Sequence, residues 1–197
     1  MYSVGVTGGI GSGKSTVCRV FGVLGIPVFS SDDEAKRLLD GDPALKQRLR
    51  EVFGDAVFTG DKPDRKALAA RVFNDAEALQ RLNAIVHPAV RGAFARWTRR
   101  QNAPYVINEA AILLETGAYR TMDHLVVVTA PEQERVRRVM LRDGVTEAAV
   151  RARMRNQADE AALVAVAGSV IVNDGESLVI PQVLHVHGKL LQWVEGK

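Results

Sequence analysis

The stretch GGIGSGKS, Gly8 to Ser15, decides the fold, because it lies directly between YSVGVT (Tyr2 to Thr7) and TVCRVFGVL (Thr16 to Leu24). It fits G-x-x-x-x-G-K-[ST], the phosphate-binding loop that joins a strand to a helix. The flanks supply that context. Tyr2 to Thr7 is short and β-prone, and from Lys14 the apolar residues Val17, Val20, Phe21 and Leu24 fall at helical spacing. The chemistry explains the composition. Glycines let the backbone bend until successive N–H groups converge on phosphate oxygens, and the helix that follows turns its positive end to the same point. Lys14 brings a cation to the β- and γ-phosphates, and the Ser15 hydroxyl is a ligand for Mg²⁺. A dinucleotide-binding G-x-G-x-x-G fails here: counted from Gly9 and Gly11, its last glycine falls on Lys14.

Outward from the loop, strand and helix alternate. Ile26 to Phe29 forms a second apolar run, and the cluster Ser30, Ser31, Asp32, Asp33 opens another helix. From Pro43 to Gln101 the pattern is helical without a strand: Ala44 to Phe53, Lys66 to Phe73, then Asp75 to Gln101 interrupted at Pro88, with Gly54 to Asp64 as a loop. Alternation resumes with runs at Tyr105 to Asn108, His124 to Thr129 and Ser169 to Val172, between helices at Pro131 to Arg142, Thr146 to Asp159 and Leu178 to Trp193. Five short apolar runs separated by helices predict an α/β protein with a five-stranded parallel sheet covered on both faces. With the phosphate loop, this is the three-layer sandwich of P-loop NTPases.

Composition narrows the class. The 197 residues are 47% hydrophobic and 25% charged, as in an ordinary globular chain, and about 70% of the surface of a chain this long is buried on folding. No apolar run reaches the roughly 20 residues of a membrane span, and Lys14 interrupts any leader pattern, which predicts a cytoplasmic protein with no membrane partner. A single cysteine, Cys18, excludes an internal disulfide and reads as a small buried apolar residue. Net charge is +3 with a pI near 9.2, which leaves nucleic acid or a phosphorylated small molecule as partner.

Distribution separates the two. A single-strand binder interleaves stacking aromatics with basic residues, and only the region of Trp97 does so. The arginines gather instead between Arg135 and Arg155, where Arg138 and Arg142 are i,i+4 neighbours able to reach one polyphosphate, the plain alternative being a solvated helix face. A regulatory GTPase is excluded because the chain has no D-x-x-G, and DKPD at Asp61 to Asp64 is a poor guanine motif in a loop. Transfer to a hydroxyl also wants a carboxylate beyond a strand end. Asp32 stands there, helix capping being its other reading and one that Ser31 can satisfy.

Taken in order, GVTGGIGSGKS, VFSSDDEAKRL, VHP (Val86 to Pro88), AILLE (Ala111 to Glu115), RVMLRDG (Arg138 to Gly144), Gln157 and VIVNDG (Val170 to Gly175) resemble the dephospho-CoA kinase family. The resemblance implies transfer of the ATP γ-phosphoryl to the ribose 3′-hydroxyl of dephospho-CoA, the last step of coenzyme A synthesis, with Mg²⁺. It implies a core of residues 1–42, 102–134 and 160–197, a helical CoA-binding lobe over 43–101 and a lid over 135–159. The loop residues Gly9, Gly11, Ser12, Gly13, Lys14, Ser15 and Thr16 would hold the phosphates, Arg138 and Arg142 fall on lid positions, and Asn173 falls where the family has an asparagine beside the adenine. Asp32 is the candidate base, and Lys14 and Arg138 join it as catalytic residues. Ser30, Ala111 and Gly168 depart from the family pattern; the first removes one of a pair of aspartates and concentrates the base role on Asp32. Asp32, His87 and Glu109 form the acceptor-side set. Glu109 reads equally as an acid holding Mg²⁺ through water or as a salt-bridged strand end, and His87, before Pro88, reads as an acceptor contact or as a structural histidine. Another nucleoside or nucleotide kinase, or a nucleotide-dependent nucleic-acid binder, are the alternatives.

Overall fold

The structure is a computed structural model that describes residues 1–73 and 75–196. In chain order, β1 (Tyr2–Thr7), α1 (Lys14–Val23) and β2 (Val28–Ser30) precede α2 (Ser31–Gly41) and α3 (Pro43–Phe53). A hairpin of β3 (Phe58–Thr59) and β4 (Lys62–Pro63) leads to α4 (Arg65–Phe73) and the long α5 (Ala76–Thr98). Then come β5 (Tyr105–Glu109), β6 (His124–Thr129), α6 (Glu132–Asp143), α7 (Glu147–Met154), α8 (Glu160–Ala165), β7 (Ser169–Val172) and α9 (Val179–Glu195). The chain divides into two compact units, Met1–Ser30 with Gln101–Lys197, and Ser31–Arg100. The division falls after Ser30, so α2 groups with the helical unit and not with the sheet.

The first unit is built on one sheet in the order β2-β5-β1-β6-β7, every pair parallel. Parallel strands need covering on both faces, and the apolar residues divide accordingly. Val4 and Val6 of β1 with Val126 and Val128 of β6 pack against Val17, Cys18 and Phe21 of α1 and Val183, Val186 and Leu190 of α9. The alternate residues Leu125 and Val127 face the other way, with Leu113 and Leu163 of α8. Gly5 belongs to that second face, where a methyl group on it would press into Leu113, Leu125 and Met122. At the β7 edge, the Gln182 side chain accepts from the Val172 N–H (2.8 Å) and donates to its carbonyl (2.9 Å), so a side chain closes hydrogen-bonding groups that an edge strand would expose.

In the second unit α5 packs against α2, α3 and α4, burying Ala78, Ile85, Val86, Val90 and Ala93. The expected break at Pro88 does not occur: α5 is helical from Ala76 to Thr98. Proline deletes one N–H donor and crowds one turn. The packed face on both sides of it carries the helix across. Gly54 to Asp64, expected as a loop, contains the β3–β4 hairpin, turned at Gly60 (φ 62°) and held where Lys46 and Arg50 reach the Asp61 carboxylate, each at 3.2 Å. In the first unit the helix expected over Thr146 to Asp159 ends at Met154, and Asp159 instead precedes α8.

Candidate active site

The phosphate loop follows β1 at the carboxyl end of the sheet, the side where open α/β sheets bind ligands. Gly11 and Gly13 take φ of 80° and 94°, a region that other residues rarely enter, and Gly13 lies in the left-handed conformation immediately before α1. The turn closes when Ser12 N–H donates to the Gly9 carbonyl (3.1 Å). No side chain caps α1, and its first turn carries no acidic residue. Its leading N–H groups are therefore arranged for an anion from outside the helix. Thr16 begins the helical ladder, its N–H donating to Gly13 O at 3.0 Å. The Lys14 ammonium folds back to donate to the carbonyls of Gly8 (2.8 Å) and Gly9 (3.4 Å), which holds the cation over the start of the loop.

Three further segments meet this loop. Ser15 Oγ donates to Glu109 Oε1 (2.7 Å), joining the first turn of α1 to the end of β5, whose Glu109 lies in register with Val6. The same carboxylate adjoins Cys18. Burial first, and Glu109 second, push that thiol far above its ordinary range, so it stays protonated and behaves as a buried apolar group. After β7, Asn173 N–H donates to Thr129 O (2.8 Å), its Nδ2 donates to Ser12 O (2.8 Å), and its own carbonyl accepts from Arg138 Nη1 (3.0 Å). Gln157 accepts from the Ile10 N–H (2.7 Å).

The structure thus joins Gly9, Ser12, Gly13, Lys14, Ser15 and Thr16 with Glu109, Arg138 and Asn173 in one hydrogen-bonded neighbourhood, with Gly11 in the same loop. Glu109, grouped in the sequence reading with the acceptor-side residues, is hydrogen-bonded to the loop's own serine. Arg142 lies on the same helix as Arg138, but its guanidinium is on Asp143, at 2.7 and 3.2 Å. Asp32 and His87 belong to the second unit. Asp32 is exposed in the first turn of α2, two residues past the end of β2. His87 is half-buried in α5, and burial, with Arg91 adding its positive charge, holds its imidazole below the usual range. Gln157, in sequence only a motif position shared with the family, is thus a loop contact, and nothing in its sequence neighbours marks the bond to Ile10.

The dephospho-CoA kinase family model matches residues 2–178. The chain belongs to the dephospho-CoA kinase family. Dephospho-CoA kinases of this family use ATP, consistent with the loop. The dephospho-CoA kinase of Bacteroides fragilis is 37% identical over 96% of this chain and 93% of its own, and that of Methylococcus capsulatus is 42% identical over 90% of each. Among solved structures, a Thermus thermophilus protein superposes with a TM-score of 0.88 at 37% identity, covering 96% of this chain and 97% of its own. The Campylobacter jejuni dephospho-CoA kinase gives 0.68 at 26% identity over 96% and 97%. A shikimate kinase from Acinetobacter baumannii, 15% identical with a TM-score of 0.55, shares the fold alone. No group of three or more histidine, cysteine or acidic side chains able to hold a metal ion gathers among the described residues. No described helix is long and apolar enough to cross a membrane.

Proposed function

We propose that this chain phosphorylates the ribose 3′-hydroxyl of dephospho-CoA with ATP, giving coenzyme A and ADP, in the cytoplasm and with Mg²⁺. The observation that carries this reading is the extent of the family match: residues 2–178 include the helical unit as well as the phosphate loop, and a loop alone would specify only nucleotide use. In this reading residues 43–101 are the CoA-binding lobe and 135–159 the lid.

The 3′-oxygen attacks the γ-phosphorus, the bond from that phosphorus to the β–γ bridging oxygen breaks, and ADP leaves. The 3′-hydroxyl proton passes to the Asp32 carboxylate. Such transfers are governed by positioning and by neutralising charge on the phosphoryl oxygens. Loop N–H groups and the start of α1 bind the phosphates, and Lys14 serves the β- and γ-phosphates. Asn173 fixes Ser12 on one side and Arg138 on the other, so loop and guanidinium are set relative to each other by one residue. Arg142 completes the arginine pair on α6, and His87 lies on the acceptor side. Mg²⁺ suits the donors present, because Ser15 Oγ and the Glu109 carboxylate are hard oxygen ligands 2.7 Å apart. Ser15 would hold the ion directly and Glu109 through water, and the bound ion would supply positive charge against the phosphates. Dephospho-CoA and ATP are the expected partners, with no nucleic acid and no membrane.

The test is ADP release measured in parallel with dephospho-CoA, AMP, CMP and uridine as acceptors. Turnover is expected with dephospho-CoA at least a hundredfold above the others in kcat/KM. Preference for a nucleoside or a nucleoside monophosphate would replace this reading by a different small-molecule kinase.

A further inference from the structure

Arg135, in the first turns of α6, differs from most of the arginines around it, and from the exposed Arg155 by its buried Nε. Arg137, Arg138, Arg142, Arg151 and Arg153 each have a carboxylate within 4.0 Å, supplied by Glu132, Glu134, Asp143 or Glu147. Among the described residues no carboxylate pairs with Arg135, and its Nε is buried with no hydrogen-bond partner. A guanidinium cannot shed its charge, so a buried donor left without an acceptor is costly unless a ligand supplies one.

Its position says which ligand. The guanidinium lies on the phosphate loop at Gly9, where a methyl group would overlap Nη1, and a side chain at Gly11 would run into the Arg135 backbone. Unlike Gly8, Gly11 and Gly13, Gly9 is not among the glycines with positive φ. Backbone freedom does not account for a glycine there; room for the guanidinium does. The Lys14 ammonium also approaches Gly9, through its carbonyl, and in this class of loop that lysine marks the β/γ end of the bound polyphosphate. Two cations therefore serve one end of the loop.

We propose that Arg135 is a further polyphosphate ligand, whose guanidinium, admitted by Gly9, binds the terminal phosphate of ATP and supplies positive charge where the γ-phosphoryl leaves. This rests on the reading of the loop as an ATP site and adds a residue to it. The protein holds the group at the loop without an acceptor of its own, and the terminal phosphate provides that acceptor. Being fixed before the reaction, the charge needs little rearrangement as the transferring group develops.

The test is calorimetric binding of ATP and ADP to the full chain, with thermal melting as the control for folding. Arg135→Gln is expected to weaken ATP by roughly tenfold to a hundredfold, the range of one charged hydrogen-bonding partner, and to weaken ADP much less, so the ATP/ADP preference collapses. Arg135→Lys keeps the charge and loses the fork, and is expected to fall between. Gly9→Ala drives the guanidinium off the loop and should reproduce the loss of preference in the native background, while adding little in the Arg135→Gln background. An unchanged ATP/ADP ratio in folded Arg135→Gln overturns the proposal. If that variant does not fold, Arg135→Lys and Gly9→Ala decide: a native ratio in both overturns it. Equal cost of Gly9→Ala in both backgrounds also overturns it. Failure of the native chain to turn over dephospho-CoA would sink the acceptor assignment and leave this binding result standing on its own.

Discussion

Glu109 accepts from Ser15 and adjoins Cys18, one turn apart on α1, so its carboxylate is oriented by the helix that carries the phosphate loop. Glu109→Gln keeps the shape and an acceptor for Ser15 but removes the charge that would draw a hydrated cation. We expect the Mg²⁺ concentration for half-maximal activity to rise by about tenfold or more, as outer contacts of metal sites do, with an unchanged melting temperature; an unchanged Mg²⁺ requirement would return Glu109 to a strand-end role. Asn173 is the converse case, a neutral side chain that works by donating. Asn173→Asp sets a carboxylate oxygen against the Ser12 carbonyl in place of an N–H, a loss of about 1–3 kcal/mol at a partly buried position. Its ATP affinity should fall about tenfold or more by calorimetry, and a change below twofold would mean the loop holds its shape without it. For Asp32, exposed at the start of α2, a proton-accepting role predicts that Asp32→Asn lowers kcat by at least a hundredfold with little change in the KM for ATP. The reverse order would make it a binding residue.

At the scale of elements, the runs Tyr2 to Thr7 and His124 to Thr129 are strands with the ends their apolar residues imply, because a strand covered on both faces is mostly apolar. Ser169 to Val172 is an edge strand, with Val170 and Val172 exposed. The β3–β4 hairpin left a fainter trace. Gly60-Asp61 is a two-residue turn signal, but strands of two residues carry no alternation to confirm it, and the ion pairs of Asp61 with Lys46 and Arg50 come from α3. Contacts of that kind explain what the sequence conceals in the site as well: the bond of Gln157 to Ile10 and that of Asn173 to Ser12 span 147 and 161 residues. Loop glycines and Lys14 are legible because their chemistry is local; Arg142 on Asp143, or Gly168 making room for the His124 ring, become visible only in three dimensions. Pro88 is the case where a strong local signal loses to packing. The α5 face from Ala78 to Ala93 is buried on both sides of it, yet the missing N–H and the crowded turn remain a cost. Pro88→Ala restores a donor inside the helix and is expected to stabilise the chain by about 1–3 kcal/mol in urea melts, less what the more flexible unfolded chain gains. A lower midpoint would show that the α5 packing depends on the proline itself.

For the molecule as a whole, both units bury imidazoles wholly or in part, and the expected consequence is an acid limit to stability above the carboxylate range. His87 lies in the helical unit, and His124 and His187 in the sheet unit; all three are held below the ordinary histidine range, by burial first in each case, with Arg91 adding to the effect at His87 and Lys189 at His124. A group whose folded value lies below its unfolded value favours the folded state when neutral. The contribution is therefore complete above the unfolded value, about 6.5, and is lost as pH falls below it toward the folded values. Between pH 7.5 and 5.5 ordinary carboxylates remain ionised, so a fall in stability across that window belongs to the histidines. Urea midpoints should be steady down to about pH 6.5 and drop by pH 5.5. His187 permits a sharper test. Its Nδ1 lies 2.6 Å from the hydroxyl of Tyr105, a side chain with no exposed surface, and its ring meets Phe21 edge-on. His187→Phe preserves the ring and leaves that hydroxyl without its partner. We expect it to be less stable than the native chain at pH 7.5 by about 1–3 kcal/mol, with a shallower decline toward pH 5.5, since one of the titrating groups is gone. The two profiles should converge in acid; profiles that run parallel, or a native chain equally stable at pH 7.5 and 5.5, would show that these imidazoles do not set the limit.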